Sequence, residues 1–254
     1  MTNKTEISGR IALIAGATRP VGRAIAERFG NEGASLILPV HNDWPESTAE
    51  MQKLFDARGY DYHSIPCDLT QLKPIQALLK QVSEQYGTLH YLVNNIERGG
   101  MPIVHGSYEL PVNEDQWDLE FDVTVKAKWN LYRCCSELMQ TSGNGSVINI
   151  SSIAARVGRS GPASALFSDG YSGANRAVTS FTRQWAREAA PEIRVNEVML
   201  GLCAGRHGEQ TRGWSLLTPA QQTALVDHTL LKRTANPDEL AELVYFLAVK
   251  ATYM

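Results

Sequence analysis

Two stretches of this chain carry residues whose types and spacing could do chemistry. The first is Ala15-Gly16-Ala17-Thr18-Arg19-Pro20-Val21-Gly22, a glycine-containing turn between an apolar run and an amphipathic one. Such a turn lets backbone approach a pyrophosphate, and the helix that follows presents N–H groups and the positive end of its dipole. Pro20 suits a first helical position but has no N–H to offer. The second is Tyr171, opening a helical pattern, with Asn175 one turn later on the same face. A phenol titrates near about pH 10 unless a neighbouring cation favours its ionised form, and Asn175 contributes no charge. No Tyr-x-x-x-Lys occurs anywhere in the chain.

The elements that must position these residues are read from apolar periodicity. Ile11–Ala15, Ser35–Val40, Tyr62–Pro66, Leu89–Asn94, Val147–Ser151 and Arg194–Met199 are read as strands, most of them short apolar runs. Between them lie amphipathic stretches at Val21–Glu32, Lys73–Tyr86, about Glu114 to Met139, and Tyr171–Ala190, with a short helix at Asp238–Leu247 near the end. Apolar strands alternating with helices predict an α/β protein: a doubly wound parallel sheet, one Rossmann-type domain over residues 1–254. Trp117 and Trp129 read as packing residues of the long helix, and Asp115, Asp118 and Asp122 as its solvated face.

Composition narrows the function classes. A hydrophobic share of 43% is enough for a sizeable core, and a net charge of -3 gives no electrostatic reason to expect nucleic acid or an anionic membrane. Cys67, Cys134, Cys135 and Cys203 show neither metal-ligand spacing nor a disulfide framework, so reduced thiols are expected. His41, His63, His90, His105, His207 and His228 are scattered without metal spacing. No signal peptide and no run of about 18 apolar residues is apparent, so a soluble cytoplasmic protein is expected. The polar segment Gly201–Thr218, with Arg206, His207 and Arg212, emerges where ligands sit in open α/β sheets. It reads either as a mobile substrate lid or as an ordinary surface loop.

Several matches in order along nearly the whole chain resemble the short-chain dehydrogenase/reductase family. Gly16 and Gly22 match its Thr-Gly-x-x-x-Gly-x-Gly turn, with Ala15 for the threonine and Pro20 for the middle glycine. Cys67-Asp68-Leu69 is similar to the Asp-Leu/Val after the third strand, where the aspartate faces adenine. Leu92-Val93-Asn94-Asn95 is similar to the start of Asn-Asn-Ala-Gly, with Ile96 and Glu97 in place of the last two. Val147-Ile148-Asn149-Ile150-Ser151-Ser152 resembles the strand leading to the catalytic serine. Ile193-Arg194-Val195-Asn196 also matches, with Leu200-Gly201 where Pro-Gly usually stands.

The resemblance implies a dinucleotide held by Gly16, Thr18, Arg19, Pro20, Val21, Gly22, His41, Asp68, Leu69, Asn94, Ile96, Asn175 and Gly201. No acid appears at the end of the second strand until Asp43, and Arg19 stands where basic residues favour NADP, so NADP is expected, with NAD possible. It further implies Ser152 holding a carbonyl oxygen, Tyr171 donating the proton, Asn175 in the lysine position, and Thr124 in the helix asparagine position. Lys128, one turn after Thr124, is a candidate substitute cation. The segment around Pro162–Asp169 lengthens the Ser152-to-Tyr171 interval and is expected to reshape the substrate pocket. Family members usually continue past this chain's end into one more strand, so the chain is expected either to be shortened or to lose an edge of the sheet. The long helices resemble the pair through which the family forms homodimers and homotetramers.

The expected function is therefore an NADP-preferring oxidoreductase moving hydride between nicotinamide and a small carbonyl or alcohol. The alternative is a catalytically silent dinucleotide-binding or scaffold protein, with altered lyase or isomerase chemistry as a minor third. A small-molecule substrate is expected in the first case, and neither nucleic acid nor membrane as partner.

Overall fold

The computed structural model describes residues 5–41, 45–97, 114–158, 161–162, 167–206, 208 and 213–254. The apolar runs form β1 (Ile11–Ala15), β2 (Ser35–Val40), β3 (Tyr62–Pro66), β4 (Tyr91–Asn94), β5 (Gly145–Ser152) and β6 (Ile193–Leu200). They pair throughout in parallel, in the order β3-β2-β1-β4-β5-β6. The reason lies in how β1 is buried. Ala12 and Ile14 enter one apolar cluster with Phe29 and Tyr245, while Ile11, Leu13 and Ala15 enter a second with Leu131 and Trp185. A strand covered on both faces has no room for polar alternation, which is why β1 reads as an unbroken apolar run, while the edge strands β3 and β6 carry polar residues. Strand order reverses between β1 and β4, and there the crossovers leave in opposite directions and open a crevice at the strands' carboxyl ends.

The helices that cover the sheet are α1 (Pro20–Asn31), α2 (Pro45–Arg58), α3 (Leu72–Tyr86), α4 (Glu114–Phe121), α5 (Ala127–Gln140), α6 (Ala154–Val157), α7 (Asp169–Glu188), α8 (Pro219–His228) and α9 (Pro237–Tyr245). A π turn, Asp122–Lys126, joins α4 to α5, so the expected long helix is interrupted at Thr124. Such bulges rotate the following face and frequently stand at functional sites. Helices α2 and α8 escape periodicity because they bury little: only Met51 and Phe55 in the first and Leu225 in the second. Helix α7 begins at Asp169 because the Ser168 hydroxyl caps it, accepting from the Tyr171 N–H at 3.0 Å.

One expectation needs correction. Trp117 and Trp129 are not core packing residues: they are 50% and 42% exposed. Their helices turn Lys128, Leu131, Tyr132, Cys135 and Met139 inward instead, and Tyr132 stacks on Trp185 of α7 with ring centroids 4.0 Å apart. Trp117 stacks on Phe121 at 5.0 Å. All four cysteines are free thiols. No helix among the described residues is long and apolar enough to cross a membrane.

Candidate active site

The carboxyl ends of β1, β4, β5 and β6 bring together the residues singled out in the sequence. Ser152 ends β5 and Tyr171 lies in the first turn of α7, both buried. The Tyr171 ring stacks on Phe167 at 5.3 Å, and its hydroxyl donates to Glu97 Oε2 at 2.8 Å. Ser152 is a second hydrogen-bond partner of that hydroxyl. The Arg206 guanidinium, from the loop after β6, is bonded to the same Glu97 oxygen and to Tyr171, and donates to Asn95 Oδ1 at 2.9 Å. Burial, then the Glu97 carboxylate, push the phenol well above its ordinary range, against the opposing pull of Arg206. Tyr171 is thus held protonated.

Asn175 is fully buried one turn along α7. Its Nδ2 donates to the Tyr171 carbonyl at 3.0 Å, while its Oδ1 has no partner among the described residues. Thr124 is buried in the π turn and donates to Glu120 Oε1 at 2.6 Å. Lys128 does not take the lysine's place beside the phenol. Its Nζ donates to the Ile96 carbonyl at 2.5 Å, and the cation bonded to Tyr171 is Arg206. Burial, reinforced by Arg206, lowers Lys128 to about 7, against Glu97, Glu120 and Glu197. Because the unfolded lysine keeps its proton to about pH 10.4, the unfolded chain binds more protons between those limits. Stability from this group therefore rises with pH above about 7, by up to ~1.4 kcal/mol per unit. Urea midpoints measured from pH 7 to 10 should show that slope in the wild type and a flatter one in Lys128→Met.

The nucleotide turn is built around contact with β4. Gly16 has φ +79, and a Cβ there would stand 2.4 Å from the Asn95 carbonyl oxygen; one at Gly22 would stand 2.1 Å from the Gly16 oxygen. Helix α1 opens with Arg19 as N-cap and Pro20 behind it, and no side chain caps its first turn. Arg19 and His41 are exposed at the ends of the β1–α1 turn and of β2, and Val21 is buried. Thr18 directs its carbonyl to Arg23 Nη2 at 2.9 Å. Asp68 accepts from the Thr70 N–H at 2.9 Å and the Thr70 hydroxyl at 2.7 Å, and the Leu69 carbonyl accepts from Asn130 at 3.3 Å. Asn94 donates to Asn149 at 2.9 Å, and Gly201 is exposed just after β6. The loop after β6 closes on the turn: a Cβ at Gly205 would meet Pro20 Cβ at 2.4 Å.

Glu97 and Arg206 are the site residues that motif reading missed. Glu97 entered only as a departure from a glycine, and Arg206 only as one charge in a polar segment. A signal existed only for Glu97, a charge just past β4 where the family pattern has glycine; Arg206, in the loop after β6, carried none. That segment is neither simply a lid nor an ordinary surface loop at Arg206, which is 7% exposed. His207 and Arg212, His105, Asp43 and half of the stretch Pro162–Asp169 (residues 163–166) lie outside the described residues.

This fold, with its crevice at the reversal of strand order, defines a doubly wound nucleotide-binding type. Residues 16–254 match the family model described as enoyl-(acyl carrier protein) reductase. The 3-oxoacyl-[acyl-carrier-protein] reductase FabG of Vibrio cholerae is 27% identical over 243 residues, covering 95% of this chain and 91% of that protein. The galactitol 2-dehydrogenase of Agrobacterium fabrum is 28% identical over 249 residues, covering 95% and 91%. A solved structure from Agrobacterium tumefaciens, provisionally assigned as a gluconate dehydrogenase, superimposes with a TM-score of 0.82 at 24% identity, covering 98% of this chain and 92% of that one. The chain belongs to the short-chain dehydrogenase/reductase family. Its named relatives here are reductases and dehydrogenases, which supports an oxidoreductase.

Proposed function

We propose that the protein is an NADP-preferring reductase of a small carbonyl compound. The observation that carries this reading is a phenol kept protonated in a buried cluster with a serine hydroxyl on one side and a guanidinium on the other. Carbonyl reduction needs a proton donor at the carbonyl oxygen and a group that stabilises the charge left behind. Tyr171 is the donor, Ser152 orients the oxygen, and Arg206 faces the phenolate that forms. Asn175 adds no charge, so oxidation of an alcohol, which needs the phenolate as base, is the disfavoured direction. Thr124, buried in the π turn and bonded to Glu120 at the end of α4, would serve as a relay toward this cluster.

The residues present fit a dinucleotide at two points. The first turn of α1 has backbone N–H groups with no side-chain cap, and the Asn175 Oδ1 is a buried acceptor without a donor among the described residues. Gly16, Thr18, Pro20, Val21 and Gly22 would hold the pyrophosphate, and Asn175 a ribose hydroxyl. Asp68 and Leu69 would flank the adenine, with Asn94, Ile96 and Gly201 along the ring's path. NADPH would supply the hydride when bound. Arg19 and His41 would face the 2′-phosphate. Arg19→Glu is then expected to weaken NADPH binding by roughly 1.5–3 kcal/mol, about ten- to a hundredfold, with little effect on NADH. Fluorescence titration of both cofactors checks this.

A second reading, a catalytically silent dinucleotide-binding or scaffold protein, is favoured by the buried Glu97–Arg206 pair beside Tyr171 and by the close approach of Gly205 to Pro20 in the nucleotide turn. NADPH consumption against a panel of ketones and quinones separates the two. Turnover supports the reductase; cofactor binding with no turnover supports the silent protein; no cofactor binding counts against both. We also propose a homodimer or homotetramer through the α4–α5 and α7 faces, which would cover the exposed Trp117 and Trp129, measurable by light scattering.

A further inference from the structure

The Glu97 carboxylate stands where a substrate must go. One of its oxygens, Oε2, accepts the Tyr171 hydroxyl at 2.8 Å and is also bonded by Arg206. A carbonyl oxygen that takes the Tyr171 proton has to displace that oxygen. The displacement strips Arg206 of its anion, although the guanidinium is 7% exposed and has Lys128 as a second buried cation in its electrostatic neighbourhood. An uncompensated buried charge is strongly unfavourable, so a neutral ketone entering alone would be opposed by the broken pair. A substrate that brings its own anion would restore it. Arg206 also has a donor to spare: its Nε is buried without a partner among the described residues, while Nη1 serves Asn95 and Nη2 serves Glu97. A carboxylate is the group that engages a guanidinium through two donors at once.

From this arrangement we infer that Arg206 is an anion anchor and that the substrate is an oxo acid whose carbonyl adjoins its carboxylate, Glu97 occupying the carboxylate's place until it is displaced. The adjacency follows from one Glu97 oxygen serving both Tyr171 and Arg206, which leaves no space for a spacer between the two groups. This rests on the reductase reading for the role of Tyr171, but the binding site is tested without turnover.

The probes are 2-oxobutanoate and its uncharged methyl ester, titrated calorimetrically into the full chain alone and with NADP added. The acid should bind at least tenfold more tightly than the ester. Glu97→Gln should strengthen binding of the acid about tenfold, because the competing anion is gone. Arg206→Gln should abolish the preference for the acid, and Arg206→Lys should restore part of it. Equal binding of acid and ester, binding of neither, or a Glu97→Gln variant with no gain would each overturn the inference. NADPH consumption is read separately. Acid binding without turnover leaves the anion site and removes the reductase; turnover of neutral ketones without acid binding does the reverse.

Discussion

Tyr171→Phe is expected to lower kcat for carbonyl reduction by about 10²–10⁴-fold while leaving NADPH affinity unchanged. The ring would keep its stacking on Phe167 and its place in the first turn of α7, since both depend on the aromatic body and the Ser168 cap rather than on the hydroxyl. What disappears is the acidic O–H that faces Ser152 and Glu97. Glu97 keeps Arg206 as partner, so the stability cost stays near that of one buried hydrogen bond, roughly 1–3 kcal/mol. Steady-state rates together with fluorescence titration of NADPH check both halves. A variant that retains full turnover would remove Tyr171 from the chemistry, whatever becomes of the cofactor.

Arg206→Met should be the most destabilising single change at the site. It leaves the Glu97 carboxylate, 11% exposed, facing the Tyr171 hydroxyl with its ion-pair partner gone. Breaking a buried pair from one side costs roughly 3–5 kcal/mol, more than the pair itself contributes over an apolar substitute. The direction with pH follows. Without the guanidinium the buried carboxyl of the variant titrates above its unfolded value, so its folded state takes up a proton first. The variant therefore regains stability as pH falls toward the ordinary carboxylate range and loses it as pH rises above that range. Glu97→Gln combined with Arg206→Met should recover most of the loss, because no charge is left unpaired. Thermal melts of the two single variants and the double one across pH 5 to 8 would measure this; additive losses in the double variant would show that the pair is not a unit.

The two results bear on the same geometry. On the proposed reductase reading, Tyr171 supplies the proton, and Arg206 supplies the positive charge that Asn175 cannot. Glu97 holds both in a closed arrangement until something anionic replaces it. A site arranged in this way gains selectivity because entry of a neutral compound leaves buried charge unpaired, a form of discrimination stronger than shape alone.

The chain's own order of residues determined the layered fold and the address of the phenol. Strands buried on both faces must be apolar nearly throughout, so β1 and β2 begin and end where the runs Ile11–Ala15 and Ser35–Val40 do. Ser152 and Tyr171 were legible because a strand end and a helix start are local features. Helix α2 was not, since only Met51 and Phe55 of it touch the core, and Trp117 was misread because its apolar character says nothing about which face its helix presents. Tertiary structure alone decided the electrostatics of the site. Glu97 and Arg206 lie 109 residues apart, and neither carries any local pattern pointing to the other. Their meeting depends on β4 and β6 each ending at the same edge of the sheet. Periodicity reports which face of an element is buried; it does not report which distant charges that burial forces together.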